Sequence, residues 1–320
     1  MEKKEIKEVV EKVKEIKKEI RKIFLGHEKV VNSLIRAILC DGHVLIEGIP
    51  GIAKTLLIKS LARTSGCSVN RIQFTVDLLP SDIIGLTTYD THKGFEILKG
   101  PIFANFVIAD EINRSPPKTQ SALIEAMQEK QVTIGKETFH LPSPFFVMAS
   151  QNPIENEGVY PLPEAQIDRF LFKVVFSYPE EDEEEIIMER NINFIKFEDL
   201  DLKKVISPKK IIEMQELVHK IYIDKKLKKY ILQIVKKTRE KTKYGKYIEL
   251  GASPRATIAL FISSKAEALM NGRSYVIPSD VKNVAPDILR HRLILSYNAR
   301  AEGMTAERII EKIINETEVV

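Results

Sequence analysis

The sequence predicts an α/β fold, in which a parallel β-sheet flanked by helices is followed by a small all-helical domain. Short apolar runs alternate with helical patterns through the first half of the chain, as is typical of a parallel sheet covered on both faces. From about Ser207 onward, nearly every segment has helical periodicity. We therefore predict an N-terminal helix (1–22), an α/β core (23–195) and a helical domain (196–320).

The chain opens with an amphipathic helix that reaches about Lys22. Its apolar residues recur at three- and four-residue spacing and are Ile6, Val9, Val10, Val13, Ile16 and Ile20. Such spacing places them on one helical face. Gly26 interrupts the pattern, and Lys29–Cys40 is predicted to form a second helix.

Five strands and two helices are predicted in the core. The strands are Val44–Glu47, Val69–Phe74, Phe106–Asp110, Phe145–Ser150 and Phe172–Ser177. The helices are Lys54–Thr64 and Pro117–Lys130. Two hairpins interrupt this alternation, Leu86–Leu98 with its turn at His92-Lys93-Gly94 and Gln131–Leu141 with its turn at Gly135-Lys136.

The helical domain begins after an acidic run, Glu180–Glu185, that is predicted to open a helix because carboxylates are favoured at helix N-termini. Further along, Ser253-Pro254, Pro278-Ser279 and Pro286 are expected to separate the helices.

Composition excludes several classes of protein. No stretch approaches the ~18 apolar residues of a membrane span, and the charged N-terminus is unlike a signal peptide. Only two cysteines occur, so we expect a cytoplasmic protein. The formal charge of +4 is too small to indicate nucleic-acid binding.

A phosphate-binding loop is predicted after the first core strand, where a glycine-rich turn leads to Lys54-Thr55 and a helix. The nucleotide-binding candidates are Gly48, Ile49, Pro50, Gly51, Ile52, Ala53, Lys54, Thr55 and Leu56. Backbone N–H groups of such a turn face phosphate oxygens, Lys54 is placed to contact the β- and γ-phosphates, and Thr55 to bind Mg²⁺. Ala53 departs from the general pattern, which has glycine at this position.

Two carboxylates, Asp110 and Glu111, follow an apolar strand. Open α/β sheets bind ligands at such strand ends. Asp110 is a candidate for the Mg²⁺ shell and Glu111 for polarising the attacking water, although an Asp-Glu pair after a strand also caps helices. Asn152, at the end of another strand, could orient the same water or form a turn before Pro153.

Two segments resemble the MoxR family of AAA+ ATPases: Asp110–Glu129 (DEINRSPPKTQSALIEAMQE) and Ser150–Phe170 (SQNPIENEGVYPLPEAQIDRF). Similar matches occur at VDLLPSDIIG and KGPIFANFVIADE, and in the helical domain at GASPRA. Ala53 is also usual in this family. The resemblance implies an AAA+ core with a helical lid, ATP and Mg²⁺ as cofactors, and a ring, usually a hexamer, with ATP held between subunits.

The resemblance also implies roles for individual residues. Arg169 matches the arginine finger that reaches the neighbour's γ-phosphate, with an ion pair to Asp168 or Glu164 as the alternative. Asn152 matches sensor 1 and Arg255 matches sensor 2, acting on its own or a neighbouring site, with a lid salt bridge as the alternative.

The remaining matches concern the adenine and the client. Phe24, Leu25 and Gly26 match the segment that packs beside adenine, whereas His27 stands where the family usually has Gln and is interpreted as a turn or surface residue. The two hairpins match the insertions of this clade. Their candidate client contacts are Tyr89, His92, Lys93 and Phe95, with ordinary hairpin packing as the alternative.

The leading hypothesis is a remodelling or chaperone-like ATPase that assembles or activates protein clients, among them proteins with a von Willebrand factor A domain. A chelatase motor subunit is the nearest alternative. A nucleic-acid motor is another, suggested by the lysine clusters Lys225–Lys229 and Lys236–Lys246, but no helix-turn-helix or zinc site accompanies them. Nucleic acid is therefore an unlikely partner in this interpretation.

Overall fold

A five-stranded parallel sheet organises the core of the computed structural model, which describes residues 3–24, 26–48, 54–152, 158–178, 184–185, 201–241 and 244–319. Its strands lie in the order β2-β5-β8-β1-β9. Their bounds are β1 (Val44–Gly48), β2 (Val69–Gln73), β5 (Phe106–Asp110), β8 (Phe146–Gln151) and β9 (Phe172–Phe176). All five predicted strands are confirmed to within two residues at either end.

Alternate residues of the strands face two hydrophobic clusters, one on each side of the sheet. Val44 and Ile46 face α1 (Lys3–Arg21), α2 (Glu28–Leu39), α3 (Lys54–Ser65) and the lid. Leu45 faces the other cluster, which includes α5 (Pro117–Glu129). Helices on both faces explain why the strands are continuously apolar, and the predicted α/β class is confirmed.

Both predicted hairpins are present. One consists of β3 (Gly85–Asp90) and β4 (Gly94–Lys99), the other of β6 (Gln131–Ile134) and β7 (Glu137–His140). The Lys99 amino group lies 4.9 Å from the ring centre of Phe103 and 4.7 Å from that of Phe139. Cation–π attraction thus helps to hold the first hairpin against the second.

The lid contains the helices α7 (Pro208–Lys220), α8 (Lys225–Lys237), α9 (Pro254–Met270), α10 (Pro278–Leu289), α11 (Tyr297–Ala301) and α12 (Ala306–Asn315). Ser207 and Ser253 cap α7 and α9 by accepting backbone N–H bonds, with proline as the next residue in each case. Proline in the first turn is tolerated because its missing N–H has no helical partner there.

Short elements were not predicted, because a few residues carry no usable periodicity. They are α4 (Pro80–Ile84), a 3₁₀ turn (Ile112–Arg114), α6 (Glu164–Ile167), and the antiparallel pair β10 (Ile248–Leu250) and β11 (Ile294–Leu295). Pro286 does not separate helices but lies inside α10, where its carbonyl accepts a bond from Arg290. Packing of α10 against its neighbours retains the helix around this proline.

The predicted domain limits at residues 22 and 195 stay predictions, since residues 186–200 and most of the acidic run, Glu180–Glu185, lie outside the described residues. Helix α1 packs against α3 of the core and α9 of the lid. Among the described residues, none of the helices combines the length and the hydropathy that crossing a bilayer requires.

His43, the residue before β1, joins three elements of the core. Its Nε2 lies 3.0 Å from the carbonyl oxygen of Met127, and its Nδ1 accepts the N–H of Val147 at 3.1 Å. This arrangement requires a neutral ring, and burial lowers the pKa of His43 to about 4. The pKa of the equally buried His291 is also lowered, well below its usual value.

We expect stability to fall on acidification because the unfolded chain binds protons that these buried rings exclude. The contribution of His43 is fully present above pH ~6.5, is reduced by about 2 kcal/mol at pH 5 and is lost as pH approaches about 4. His43→Gln can keep both hydrogen bonds without titrating. Urea unfolding at pH 7.5 and pH 5 should show a smaller pH effect in this variant. An equal loss in both proteins would contradict the assignment.

Candidate active site

The predicted phosphate loop connects β1 to α3. Lys54 is the first residue of α3, and its amino group donates to the carbonyl of Gly48 at 2.5 Å. Burial lowers the pKa of Lys54, while the charges of Asp110 and Glu111 act in the opposite direction. The predicted ligands Ile49, Pro50, Gly51, Ile52 and Ala53 lie outside the described residues, and Leu56 follows in the first turn of α3.

Asp110 ends β5 beside α3 and is buried. Its Oδ2 accepts a hydrogen bond from Arg71 Nε at 2.6 Å and lies 3.5 Å from the Thr55 hydroxyl. Its Oδ1 accepts from the Ser150 hydroxyl at 3.2 Å. The two residues that the sequence assigned to the metal, Thr55 and Asp110, are therefore neighbours in the fold.

Glu111 has a left-handed backbone, with φ of 57°. This conformation is unusual for a residue other than glycine and is often found at functional sites. Its N–H donates to the Ser150 hydroxyl at 3.0 Å. Its carboxylate accepts from Gln73 at 2.9 Å and from Arg114 at 3.1 Å, so two side chains hold the predicted base in place.

Asn152 follows the last residue of β8 and is half-buried. β8 pairs in parallel with β1 through Ser150 and Ile46. The carboxyl ends of these strands therefore bring Asn152 to the same sheet edge as Lys54 and Asp110. This edge is where doubly wound sheets bind their ligands.

Phe24 and Gly26 line a cavity of about 240 Å³. Leu25 lies outside the described residues. His27 is the residue before α2, with φ of 51°, and its ring centre lies 5.3 Å from that of Phe176. The turn role predicted for His27 agrees with this backbone, but its ring packs in an aromatic group with Phe24 and Phe176.

Arg169 and Arg255 do not lie at the carboxyl edge of the sheet with the other predicted site residues. Arg169 precedes β9, whose first residue pairs with Val44 at the amino edge of the sheet. Within the described chain, no residue forms a hydrogen bond or ion pair with the Arg169 side chain, so the predicted alternative of a pair with Asp168 or Glu164 is not found. Instead, Asp168 accepts from Arg255 at 3.4 Å, which is the salt bridge considered as an alternative for Arg255.

Comparisons with known proteins agree with this geometry. Residues 43–172 match the "ATPase family associated with various cellular activities (AAA)", and residues 241–313 match an AAA lid domain. The chain is 45% identical to Chaperone MoxR1 of Mycobacterium tuberculosis over 92% of its length and 79% of that protein. It is 44% identical to the uncharacterized protein YeaC of Bacillus subtilis, covering 94% and 92% of the two chains. The chain belongs to the MoxR family of AAA+ ATPases.

A solved structure supports the same assignment. The crystal structure of a presumed ATPase from Cytophaga hutchinsonii superimposes with a TM-score of 0.92 at 46% identity, covering 99% of this chain and 97% of that one. This MoxR-family protein is therefore an ATPase with an AAA core and lid. The chelatase and nucleic-acid alternatives are not favoured.

Mg²⁺ fits the side chains of this ATPase. A carboxylate oxygen of Asp110 and the hydroxyl of Thr55 lie 3.5 Å apart beside the phosphate loop. Mg²⁺ prefers such oxygen ligands and keeps several waters, so few protein ligands suffice. Thr55 and Asp110 are the residues that would hold it.

Two further residues of the site, Arg71 and Gln73 of β2, are not part of any motif recognised in the sequence. Their side chains hold the two acidic residues, Arg71 through Asp110 and Gln73 through Glu111, and Arg71 Nη2 also donates to Gln73 at 2.9 Å. The one sequence feature that could have indicated them is a pair of polar residues in the strand next to the apolar strand that ends in Asp110. It was weak because exposed polar residues are ordinary on a sheet's outer strand.

We expect Arg71→Ala to lower the Mg²⁺ concentration needed for half-maximal ATPase activity, because Arg71 competes with the cation for Asp110. The decrease should be up to roughly fivefold, since an ion pair as exposed as this one contributes about 1 kcal/mol at most. Mg²⁺ titration at fixed ATP measures the effect. The exposed lid variant Arg308→Ala serves as the control. An unchanged or higher Mg²⁺ requirement in Arg71→Ala would show that no such competition exists.

Proposed function

We propose that this ATPase assembles into a ring, most simply a hexamer, holds ATP between adjacent subunits, and uses hydrolysis to remodel protein clients. Lys54 and Thr55 would hold the phosphates and Mg²⁺, Glu111 would polarise the attacking water, and Asn152 would orient it. When bound, Mg²⁺ neutralises phosphate charge. Phe24 and Gly26 would contact the adenine beside the cavity that they line.

The position of Arg169 carries the proposal of shared sites. Arg169 precedes Phe172, which pairs with Val44, whereas the phosphate loop follows Gly48, which pairs with Phe176. The two ends of β9 are about 13 Å apart, at ~3.3 Å per residue, which exceeds the reach of an arginine side chain. The length of β9 thus separates the segment that carries Arg169 from Gly48, where its own phosphate loop begins, and we infer that a neighbouring subunit receives the charge of Arg169.

Arg255 supports the same arrangement. Its guanidinium pairs with Asp168, the residue before Arg169. Arg255 is therefore held beside the backbone segment that carries Arg169. We infer that both serve the neighbour's nucleotide, where fixed guanidinium groups stabilise charge on the transferring phosphoryl group.

The β3–β4 hairpin supports a role in client contact. Tyr89 and Phe95 are 67% and 80% exposed, and their ring centres lie 5.2 Å apart. An exposed aromatic pair is suited to contact unfolded or loosely folded segments. The relative from Mycobacterium tuberculosis is named a chaperone. Clients with a von Willebrand factor A domain are proposed from the family resemblance.

Mixed rings test the shared site. Arg169→Ala should lose at least about 100-fold in turnover because an arginine finger typically contributes more than this, and Glu111→Gln should lose a similar factor. A mixture of the two variants should exceed both parents by at least roughly tenfold, since Glu111→Gln subunits supply the finger to intact Arg169→Ala sites. ATPase assays over a range of mixing ratios measure this recovery.

The wild-type protein supplies the control for assembly. Its specific ATPase activity should rise with protein concentration as rings form. A concentration-independent rate together with unimpaired Arg169→Ala would mean that each chain hydrolyses ATP alone, and the proposal of shared sites would then fail.

Removing the hairpin aromatics should weaken client binding. Each buried aromatic contact contributes about 1 kcal/mol or more, so the double variant Tyr89→Ser with Phe95→Ser, which removes two, should reduce client affinity by roughly thirtyfold or more while hydrolysis without client persists. Suppression of aggregation of a heat-labile protein, measured with ATP, reports the loss. Tyr297→Ser, which removes a lid aromatic that is 84% exposed, is the matched control. Equal suppression of aggregation by the wild type, the hairpin double variant and Tyr297→Ser would exclude the hairpin as a client contact.

A further inference from the structure

Arg292 follows α10 of the lid and is buried against the core, with 3% of its side chain exposed. Its Nε donates to Asp168 Oδ1 at 2.8 Å, and its Nη2 donates to the carbonyls of Asp168 and Phe170 at 3.1 and 2.7 Å. Its Nη1 donates to the carbonyls of Leu171 and Ile288 at 3.2 and 2.6 Å. These five bonds match the five donors of a guanidinium.

Four of the five bonds reach the segment that carries Arg169. One nitrogen, Nη2, holds the carbonyls of the residues immediately before and after it, Asp168 and Phe170. The direction of the Arg169 side chain is set by the backbone between these two carbonyls. Arg292 thus fixes the backbone on both sides of Arg169 through these two carbonyls.

Neighbouring lid residues extend this contact. His291 Nε2 lies 3.1 Å from the carbonyl oxygen of Phe170, and Arg290 Nη1 donates to the carbonyl of Lys173 at 2.6 Å. The Ser253 hydroxyl donates to Asp168 Oδ2 at 2.9 Å. The segment from Asp168 to Lys173 is therefore held by the lid through backbone and carboxylate acceptors.

We propose that Arg292 is a positioning residue for the finger Arg169, and that through it the lid of one subunit sets the finger used by the next subunit. The proposal rests on the shared-site function proposed above. A shift of α10 moves Arg292, and the carbonyls on both sides of Arg169 move with it. The position of a subunit's lid is in this way transmitted to hydrolysis at the adjacent site.

Lysine cannot replace this arginine. Its ammonium has three donors and none of the planar geometry that reaches five acceptors at once. Burial lowers the pKa of Arg292 to about 10, so the guanidinium still carries its charge at neutral pH and pairs with Asp168.

Adhesion between core and lid does not depend on Arg292 alone. Arg36 of α2 donates through Nε and Nη2 to Glu267 of α9 at 2.9 and 2.6 Å, in a buried pair. The Arg36 guanidinium also lies 5.9 Å from the ring centre of Phe172, but its hydrogen bonds go to Glu267 and Ser33 and not to the carbonyls beside Arg169. Ser33 also donates to Asp287 of α10 at 2.5 Å. Arg36→Lys is accordingly a matched control, because it too weakens a buried contact between core and lid.

Mixed rings distinguish action on the finger from action on the subunit's own site. Arg292→Lys alone should lower kcat at least roughly tenfold with the KM for ATP unchanged, because its own nucleotide site remains intact. Mixed with Glu111→Gln, whose fingers are intact, it should recover activity as Arg169→Ala does. Mixed with Arg169→Ala it should not recover, since both partners lack a working finger. Arg36→Lys should restore the activity of Arg169→Ala, because its finger is positioned normally.

Each other outcome overturns the proposal. If mixtures of Arg292→Lys recover activity with Arg169→Ala but not with Glu111→Gln, then Arg292 acts on the nucleotide site of its own subunit. If neither mixture recovers activity, the substitution causes a general loss of structure. If Arg292→Lys does not assemble, Asp168→Asn, which weakens the same contact, should give the same pattern of recovery. Failure of the reference mixture, Arg169→Ala with Glu111→Gln, would instead reject the shared site itself.

Discussion

The common direction of the five strands is the constraint on which the active site depends. Because all pairings are parallel, the carboxyl ends of β1, β5 and β8 meet at one edge and bring Lys54, Asp110 and Asn152 together. The same direction places the segment before β9 at the opposite edge. A residue at the start of a strand and a loop at the end of its neighbour are separated by the strand length. The sheet therefore separates the nucleotide edge from the edge that carries Arg169.

At the carboxyl edge of the sheet, where the nucleotide is proposed to bind, acidic and basic side chains form ion pairs with one another. Arg71 neutralises part of the charge of Asp110, and Arg114 does so for Glu111. Glu111 adopts its left-handed backbone next to Ser150, whose hydroxyl contacts both acidic residues. Preorganised side chains of this kind reduce the reorganisation that charge development requires during phosphoryl transfer.

At the amino edge, the carboxylate of Asp168 is the meeting point of core and lid. Ser253, Arg255 and Arg292 all donate to it, and these residues come from two separate parts of the lid. Asp168 is partly buried, and removing a charged partner from such a carboxylate is destabilising because its charge is then less well compensated. The lid and the segment that carries Arg169 are consequently coupled, which is the physical basis of the proposed communication between subunits.

The sequence by itself determined the class of fold and which residues meet at the carboxyl edge. Hydrophobic periodicity and a glycine-rich turn depend on residues close in sequence, so all five strands, the long helices, both hairpins and the Thr55–Asp110 pairing could be predicted. Short elements such as α4 and β10 could not, and Pro286 was misread because packing retains a helix that a local rule would end.

Only the tertiary structure decided how distant segments meet. Arg71 and Gln73 reach Asp110 and Glu111 because β2 pairs with β5 in the sheet. The order of strands in a sheet cannot be read from the sequence. Arg292 lies 124 residues from Asp168, and a buried arginine with five acceptors has the same local sequence pattern as a solvated one. Side-chain partners at such separation follow from packing between core and lid, which no local pattern encodes.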